Sequence, residues 1–361
     1  MARTSNRSFK TEQARSFLLL QAGLARPARS SNAAVCSLVQ RLGGIRAERL
    51  EWAHASLAAR LTDYRPEQLE NALQRDKILL RLWGVRGAEM IVHRADAPAQ
   101  VAAAADEAIQ WARFLDANLS IDGARRSQIM GELLPGPFSR SDVARRFERF
   151  LHLTGKAPPA VVYQKIIREA GARGLLLWCN GEGNASRYCS TESWLGEVIT
   201  PKADLPCLLK TYLSAYPPAP IPDIANCLGI SPAAVRPMLE EVGAVEIDVE
   251  GKPAWILESD LPGLKKAPPL ASTPAFALPE QDPLLTACLS RDRLGTALSA
   301  AFPSSGETPG TVWIEGRLIA TWRREADVAE VRPIGRATPP PRALAAAFAQ
   351  GEPRLRPRLV R

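Results

Sequence analysis

The chain has 361 residues, of which 46% are hydrophobic and 23% charged. This is the composition of a globular protein and excludes intrinsic disorder. No stretch approaches the ~18 consecutive apolar residues of a membrane span, and the polar, basic N-terminus has no signal-peptide core. At roughly 150 residues per domain we expect two or three domains in a soluble, cytoplasmic protein without a membrane partner.

The net charge of +8 is distributed unevenly along the chain. Residues 1–100 carry +7, residues 201–280 carry −4 and residues 281–361 carry +4. A basic surface of this kind is typical of proteins with a polyanionic partner. The six cysteines contain no CxxC pair and the three histidines lie far apart. We therefore expect free thiols and no metal site.

The first predicted unit spans residues 11–95 and consists of helices followed by a β-hairpin. Apolar residues recur at the helical spacing of i, i+3, i+4 and i+7 from Val35 onward, and Gly43-Gly44 ends that helix. A later proline, Pro66, suits a first helical turn. Helices are predicted at 31–40, at 48–61 and from residue 66, and strands at 78–85 and 90–92. This is the element order of a winged helix.

The second predicted unit, residues 97–200, repeats that order. Ser139 and Asp142 have the spacing of a capping box at a helix start, and a further helix begins at Pro158-Pro159 before a strand at 174–179. Basic and amide side chains lie off the apolar stripes of these two helices. The candidates for DNA contact are Arg140, Arg145, Arg146 and Arg149, which could track phosphates, and Gln164, Lys165 and Arg168, whose side-chain types read or position nucleic acid. An ordinary solvated helix face is the alternative interpretation.

The third predicted unit, residues 202–260, has the clearest signal. Gly229 and the capped start Ser231-Pro232 indicate a helix-turn-helix, and Glu250-Gly251 turns a hairpin that follows it. The hairpin is acidic, so phosphates would be repelled, and we expect this unit to pack or scaffold. Five prolines at 261–280 indicate a linker. Residues 281–361 predict a β-rich unit with a hairpin turn at Glu315-Gly316, a helix at 342–350 and a basic tail.

Three stretches carry a resemblance to a known family. They are Arg86-Gly87-Ala88-Glu89-Met90-Ile91-Val92-His93 followed by Asp96, Asp282-Pro283-Leu284-Leu285 with Arg291-Asp292-Arg293, and Val312-Trp313-Ile314-Glu315-Gly316-Arg317-Leu318-Ile319-Ala320-Thr321-Trp322-Arg323. In this order and spacing they resemble the AlkZ/YcaQ type of DNA glycosylase over about residues 11–350.

The resemblance implies three tandem winged helix-turn-helix units around a concave DNA-binding face, with a C-terminal β-barrel-like unit. The expected fold class is thus mainly α with small β-hairpins (α+β). It also implies hydrolysis of the N-glycosidic bond of alkylated or crosslinked bases, without a cofactor. The partner would be double-stranded DNA, bound by a monomer associated with the nucleoid. Arg86, Arg323 and the adjacent Arg324 become further candidate DNA contacts.

The family's active-site motif is Gln-apolar-Gln or Gln-apolar-Asp after a helix end like Leu42-Gly43-Gly44-Ile45. Here that position has Arg46-Ala47-Glu48. Glycosidic cleavage develops positive charge on the sugar and needs a positioned water. The Glu48 carboxylate could stabilise that charge and accept a proton from the water, and Arg46 could bind a flanking phosphate.

Two alternatives stay open at this stage. Arg46 and Glu48 could be a surface pair at a helix start, where a carboxylate suits the helix dipole. The chain could correspondingly be a non-catalytic winged-helix DNA-binding protein, a lesion sensor or regulator. The absent glutamines favour the non-catalytic protein, whereas the carboxylate of Glu48 favours a DNA glycosylase.

Overall fold

The computed structural model describes all residues except 1–6, 134–135, 149–154, 157, 182–184, 296–301, 303–307, 336–337, 352–354 and 361, and only the backbone at 130–133 and 146–147. The chain forms two compact units. The first comprises Met1–Arg46, Glu51–Leu69 and Pro206–Arg361, and the second comprises Ala47–Leu50 and Glu70–Leu205.

The fold is α+β, as the sequence predicts. The helices are α1 Thr11–Gln21, α2 Asn32–Arg41, α3 Leu50–Ala58, α4 Pro66–Glu70, α5 Ala97–Ala103, α6 Ala105–Asp116, α7 Gly123–Leu133, α8 Arg140–Phe147, α9 Pro159–Ala172, α10 Thr191–Leu195, α11 Leu205–Ala215, α12 Ile221–Leu228, α13 Pro232–Glu241, α14 Leu261–Lys265, α15 Pro283–Ala287 and α16 Pro341–Gly351. The strands are β1 Ser8–Phe9, β2 Ala28–Arg29, β3 Ile45–Arg46, β4 Leu61–Thr62, β5 Leu79–Trp83, β6 Glu89–His93, β7 Leu176–Asn180, β8 Arg187–Ser190, β9 Ala244–Val249, β10 Lys252–Leu257, β11 Phe276–Leu278, β12 Gly310–Ile314, β13 Arg317–Glu325, β14 Val328–Pro333 and β15 Arg356–Leu359.

In the first unit, the predicted helix-turn-helix elements are present. Helix α12 ends at Gly229, whose left-handed φ of 70° permits the tight turn. The side chain of Ser231 then accepts a hydrogen bond from the backbone N–H of Ala234 and caps α13. The hairpin β9–β10 follows, and β1 adds a parallel strand to it. Local turn and capping chemistry therefore sets these boundaries.

The C-terminal sheet has the order β11-β12-β13-β14-β15. Its central turn is the predicted one, with Glu315 and Gly316 both at positive φ. Among the described strands the sheet keeps two free edges, so the closed barrel that the resemblance implies is not formed. Helix α16 packs against β11, β12 and β15, and its Phe348 meets Trp322 edge-to-face. Helix α16 thus covers one face of the sheet, the face that would be the interior of a closed barrel.

The segment 261–280 differs from the linker that its prolines suggest. It contains α14 and β11, and Leu264, Leu270 and Phe276 are buried. Pro262 lies in the first turn of α14, where proline is compatible with a helix because the missing N–H would have had no partner there. The apolar residues between the prolines account for the ordered structure.

In the second unit, four strands form one antiparallel sheet in the order β6-β5-β7-β8. The hairpin predicted for the first winged helix therefore shares a sheet with the strands predicted for the second, through the pair Arg81 and Trp178. Alternation along β5 places Leu80 and Leu82 on one face and Arg81 and Trp83 on the other. The face of Trp83 packs in a core with residues of α6 and α9.

The tip of the β5–β6 hairpin is fixed against α6. Arg86 and Gly87 both have positive φ, at 59° and 62°. A Cβ atom on Gly87 would lie 2.9 Å from Cγ of Glu107 and 3.1 Å from the ring of Trp111. The close approach therefore requires glycine, and it holds the start of β6 at a defined place beside α6.

Candidate active site

The segment after Arg46 lies directly against the first residue of β6. The backbone N–H of Ala47 donates a hydrogen bond to the carbonyl oxygen of Glu89 at 2.9 Å. Glu48, the next residue, is half-buried. The backbone therefore brings the predicted catalytic carboxylate beside a second carboxylate, within the same unit.

The surroundings of the Glu89 carboxylate perturb its pKa. Its side chain is 17% exposed and lies 3.8 Å from the guanidinium of Arg81. Burial raises the pKa of the Glu89 carboxyl above its ordinary value. Of the neighbouring charges, Arg81 opposes that shift most strongly, Glu48 adds to it, and Arg168 and Arg140 oppose it. Two carboxylates and three arginines are thus in electrostatic reach of one another.

Arg81 is oriented by groups other than Glu89. Its side chain is 5% exposed, and one of its guanidinium nitrogens donates to the carbonyl oxygen of Gly181 at 2.9 Å. Its guanidinium carbon lies 5.3 Å from the centre of the Trp178 ring, within cation–π range. The 3.8 Å separation from Glu89 exceeds a hydrogen bond, so the carboxylate is attracted without being fully bonded.

Helix α9 presents the predicted basic residues around one tryptophan. Lys165 lies 5.5 Å and Arg168 5.6 Å from the ring centre of Trp111. Burial lowers the pKa of Lys165, and repulsion from Arg168 lowers it further. Gln164 is half-buried on the same helix. Because Arg168 and Arg140 both act on Glu89, the second unit groups several predicted DNA contacts around its carboxylates.

The other predicted contacts of α8 differ in their partners. The capping box of Ser139 and Asp142 is present, and its hydrogen bonds lower the pKa of Asp142 to about 2. Arg145, 74% exposed, forms an ion pair with that carboxylate. The side chain of Arg146 and all of Arg149 lie outside the described residues. Arg86 is exposed at the hairpin tip.

The candidates in the first unit have acidic neighbours. Arg323 pairs with Glu330 at 2.8 Å and with Glu325 at 3.6 Å. Arg324 lies 3.6 Å from Glu51. Arg46, in β3, is half-buried. The charges of Arg323 and Arg324 are therefore partly neutralised, unlike those grouped on α9.

Sequence reasoning gave no role to Glu89 or Arg81. Two signals could have identified them. Arg81 interrupts an apolar run, Leu79-Leu80-Arg81-Leu82-Trp83, and a lone charge in a buried strand needs a partner. Glu89 begins the next strand directly after the Arg86-Gly87-Ala88 turn, so a hairpin at that turn brings this acidic residue back towards Arg81.

Within the described ranges, no three or more histidine, cysteine or acidic side chains are grouped in a way that could bind a metal ion. In that same part of the chain, no helix combines the length and apolar character needed to cross a membrane.

Comparison with known proteins identifies the family. Residues 39–354 match the model of the DNA glycosylase AlkZ-like family, and the chain therefore belongs to it. Membership of this family confirms the predicted function: the protein is a DNA glycosylase, a hydrolase that acts in DNA repair. The fold is similar to that of the Streptomyces sahachiroi DNA glycosylase AlkZ, with a TM-score of 0.78 and 20% identity over 98% of this chain and 100% of the other. No curated protein matches the sequence significantly.

Proposed function

We propose that this protein hydrolyses the N-glycosidic bond of alkylated or crosslinked bases in double-stranded DNA, with Glu48 as its catalytic carboxylate. The observation that carries the proposal is the position of Glu48. The sequence resemblance aligns it with the family's active-site motif, and Ala47, the residue before it, donates a backbone hydrogen bond to Glu89, on which Arg140, Arg168 and Glu48 itself act electrostatically.

The chemistry at this site follows from charge. As the base departs, positive charge develops on the sugar, and the anionic carboxylate of Glu48 stabilises it. The same carboxylate accepts a proton from the attacking water. Arg46 would oppose a developing cation at short range, so its proposed role is contact with a flanking phosphate.

DNA binding is proposed to rest on the second unit. Arg86, Arg140, Lys165 and Arg168 are its candidates for phosphate contact, with Arg145, Arg146 and Arg149 of α8 beyond them. Gln164 has the side-chain type that positions a base or sugar. Arg323 and Arg324 are weaker candidates, because phosphate would have to displace their acidic neighbours.

The arrangement proposed for these elements is three tandem winged helices, near residues 11–95, 97–200 and 202–260, followed by a β-rich unit at 281–361. The helix-to-hairpin order of each stretch supports it. The protein is proposed to act as a monomer in the cytoplasm, at the nucleoid, where its substrate lies.

The test is a single-turnover assay of the purified protein on duplex DNA that contains one N7-methylguanine, scored as abasic sites. We expect cleavage by the wild type and its loss in Glu48→Ala. The matched control is Glu192→Gln, which removes one exposed acidic charge from α10 in the same unit and should leave the rate unchanged. Tight binding without abasic sites would identify a non-catalytic DNA-binding protein. Unchanged activity in Glu48→Ala would overturn the site assignment.

A further inference from the structure

The second carboxylate, Glu89, has no role in the mechanism above. We propose that Glu89 is the proton donor to the departing base, which extends the substrates from cationic alkylated bases to neutral adducts. The inference rests on the proposed function, because it uses the same reaction at the same carboxylate pair.

A proton donor matters only for some lesions. N7-alkylguanine and N3-alkyladenine already carry positive charge, so they depart as neutral molecules when the glycosidic bond breaks. A neutral adduct such as 1,N6-ethenoadenine would depart as an anion unless a nitrogen of its ring is protonated. An active site limited to cationic bases therefore needs one carboxylate, and an active site for both classes needs two with different roles.

The geometry gives the two carboxylates different surroundings. Glu89 begins β6, on a strand whose tip is fixed against α6 by Gly87. The carbonyl oxygen of Glu89 accepts a hydrogen bond from the backbone N–H of Ala47. Glu48 follows Ala47 directly, so this bond fixes the backbone next to Glu48. The Glu89 side chain retains 17% of its exposure. It is therefore neither sealed in the core nor freely solvated.

The charges that face Glu89 come from four parts of the second unit. They are Arg81 of β5, Glu48 of the motif segment, Arg168 of α9 and Arg140 of α8. Burial, the dominant influence, raises the pKa of Glu89 and so favours its protonated form. A bound DNA phosphate beside Arg140 or Arg168 would weaken the opposing effect of that arginine and raise the protonated fraction further.

The step balances in atoms and electrons. The N-glycosidic bond breaks and its electron pair goes to the base, while the proton of the Glu89 carboxyl moves to a ring nitrogen of that base. Water oxygen bonds to the anomeric carbon, and Glu48 takes one proton from that water. The products are the neutral free base and an abasic sugar. Glu89 is left ionised and Glu48 protonated, and transfer of one proton between them restores the starting state.

The experiment compares two duplexes of identical sequence, one containing N7-methylguanine and one containing 1,N6-ethenoadenine. Single-turnover rates are measured for the wild type, Glu89→Gln, Glu48→Gln and the control Glu192→Gln. Glu89→Gln should lower the ethenoadenine rate by about 10²–10⁴-fold, the usual contribution of general acid catalysis. It should change the N7-methylguanine rate by only a few-fold. Glu48→Gln should lower both rates.

The pH profile of the wild type provides a readout that does not depend on a variant. The ethenoadenine rate should fall on the alkaline side, as Glu89 loses its proton, and the N7-methylguanine rate should not. Glu89→Asp, which retains a carboxyl group, should restore part of the ethenoadenine activity that Glu89→Gln lacks.

Failure of this inference can be distinguished from failure of the proposed function. No abasic sites from N7-methylguanine with the wild type would reject the proposed function itself. Activity on N7-methylguanine with none on ethenoadenine would reject Glu89 as a proton donor and leave Glu48 standing. Equal loss of both activities in Glu89→Gln would reduce Glu89 to a structural residue, and overlapping pH profiles on the two duplexes would also overturn the inference.

Discussion

Two of the arginine–carboxylate pairs in the described part of the chain, one in each unit, are built differently. Arg60 and Asp282, in the first unit, have side chains with no exposure, and two guanidinium nitrogens donate to the two carboxylate oxygens at 2.8 Å each. Ser56 donates to the same carboxylate, and Nε of Arg60 donates to the carbonyl oxygen of Ala22. All three guanidinium nitrogens and both carboxylate oxygens are thus hydrogen-bonded.

Arg81 and Glu89, in the second unit, lie 3.8 Å apart and retain partial exposure. A buried ion pair stabilises a fold only when its hydrogen bonds are satisfied. We call Arg60–Asp282 the closed pair, because it is fully hydrogen-bonded and holds two distant parts of the chain together. We call Arg81–Glu89 the loose pair, because its carboxylate keeps partial exposure and can exchange a proton. Perturbed carboxylates of the second kind are candidates for chemistry.

The largest effect is expected at the carboxylate beside the loose pair. Glu48→Gln preserves shape and removes the charge, so abasic-site formation from N7-methylguanine should slow by about 10²–10⁴-fold if the carboxylate takes the proton. Arg46→Gln should be tolerated or even faster, because it removes a charge that opposes the developing cation. A Glu48→Gln enzyme with most of its activity would mean that Glu48 only positions the water.

The closed pair should respond in stability instead of rate. Asp282→Ala leaves Arg60 buried without its counter-charge and should lower the free energy of unfolding by about 3–5 kcal/mol, measured by urea denaturation. Lys252→Gln, which breaks the exposed pair with Asp292, is the control and should leave the free energy of unfolding nearly unchanged, because exposed ion pairs contribute little. A similar, small loss for both variants would contradict the structural role of the closed pair.

A third prediction concerns the basic residues around the loose pair. The triple variant R140Q/K165Q/R168Q should weaken DNA binding and flatten the slope of log affinity against log salt by up to ~0.9 per lost phosphate contact. R323Q/R324Q is the comparison variant, since those arginines already have acidic neighbours, and its slope should change less than that of the triple variant. Fluorescence anisotropy across a salt series measures both. A larger change in the comparison variant would move the DNA-binding surface to the C-terminal sheet.

The smallest expected effect is a pH dependence of stability. The pKa of Glu89 is raised in the folded state, so the folded protein binds this proton more readily than the unfolded chain. Its contribution to stability is favourable at low pH and is lost as pH rises through the folded pKa. Glu89→Gln should therefore gain stability relative to the wild type between pH 5 and pH 8, by about 1 kcal/mol or less. Thermal melts across that range measure it, and a relative loss would mean that ionised Glu89 is stabilising.

Features with local signals could be predicted from the sequence. The capping box of Ser139, the turn at Gly229 and the hairpin at Glu315 each depend on residues within a few positions of one another. The position of Glu48 could be found only through the family resemblance, because nothing in its neighbourhood distinguishes it from other helix-start acids.

Long-range features could not be predicted in this way. Arg60 and Asp282 are 222 residues apart, and the pairing of Arg81 with Trp178 joins two hairpins that read as separate units. Such contacts depend on packing between elements, and residue periodicity does not record which elements meet. The perturbed pKa of Glu89 could not be predicted for the same reason, since the charges around it come from four separate parts of the chain.

The first unit is built from three segments of the chain, with segments of the second unit between them in sequence. This order affects how the protein folds during translation. Its early segments, Met1–Arg46 and Glu51–Leu69, leave the ribosome before almost all of the second unit, whereas Asp282 follows the end of that unit. Arg60 is therefore synthesised more than two hundred residues before Asp282, the carboxylate that it pairs with. Domains generally fold as units during translation, so we expect the second unit to fold while the first is incomplete. During that interval the nascent first unit would expose apolar surface, which is the form of a protein that chaperones bind.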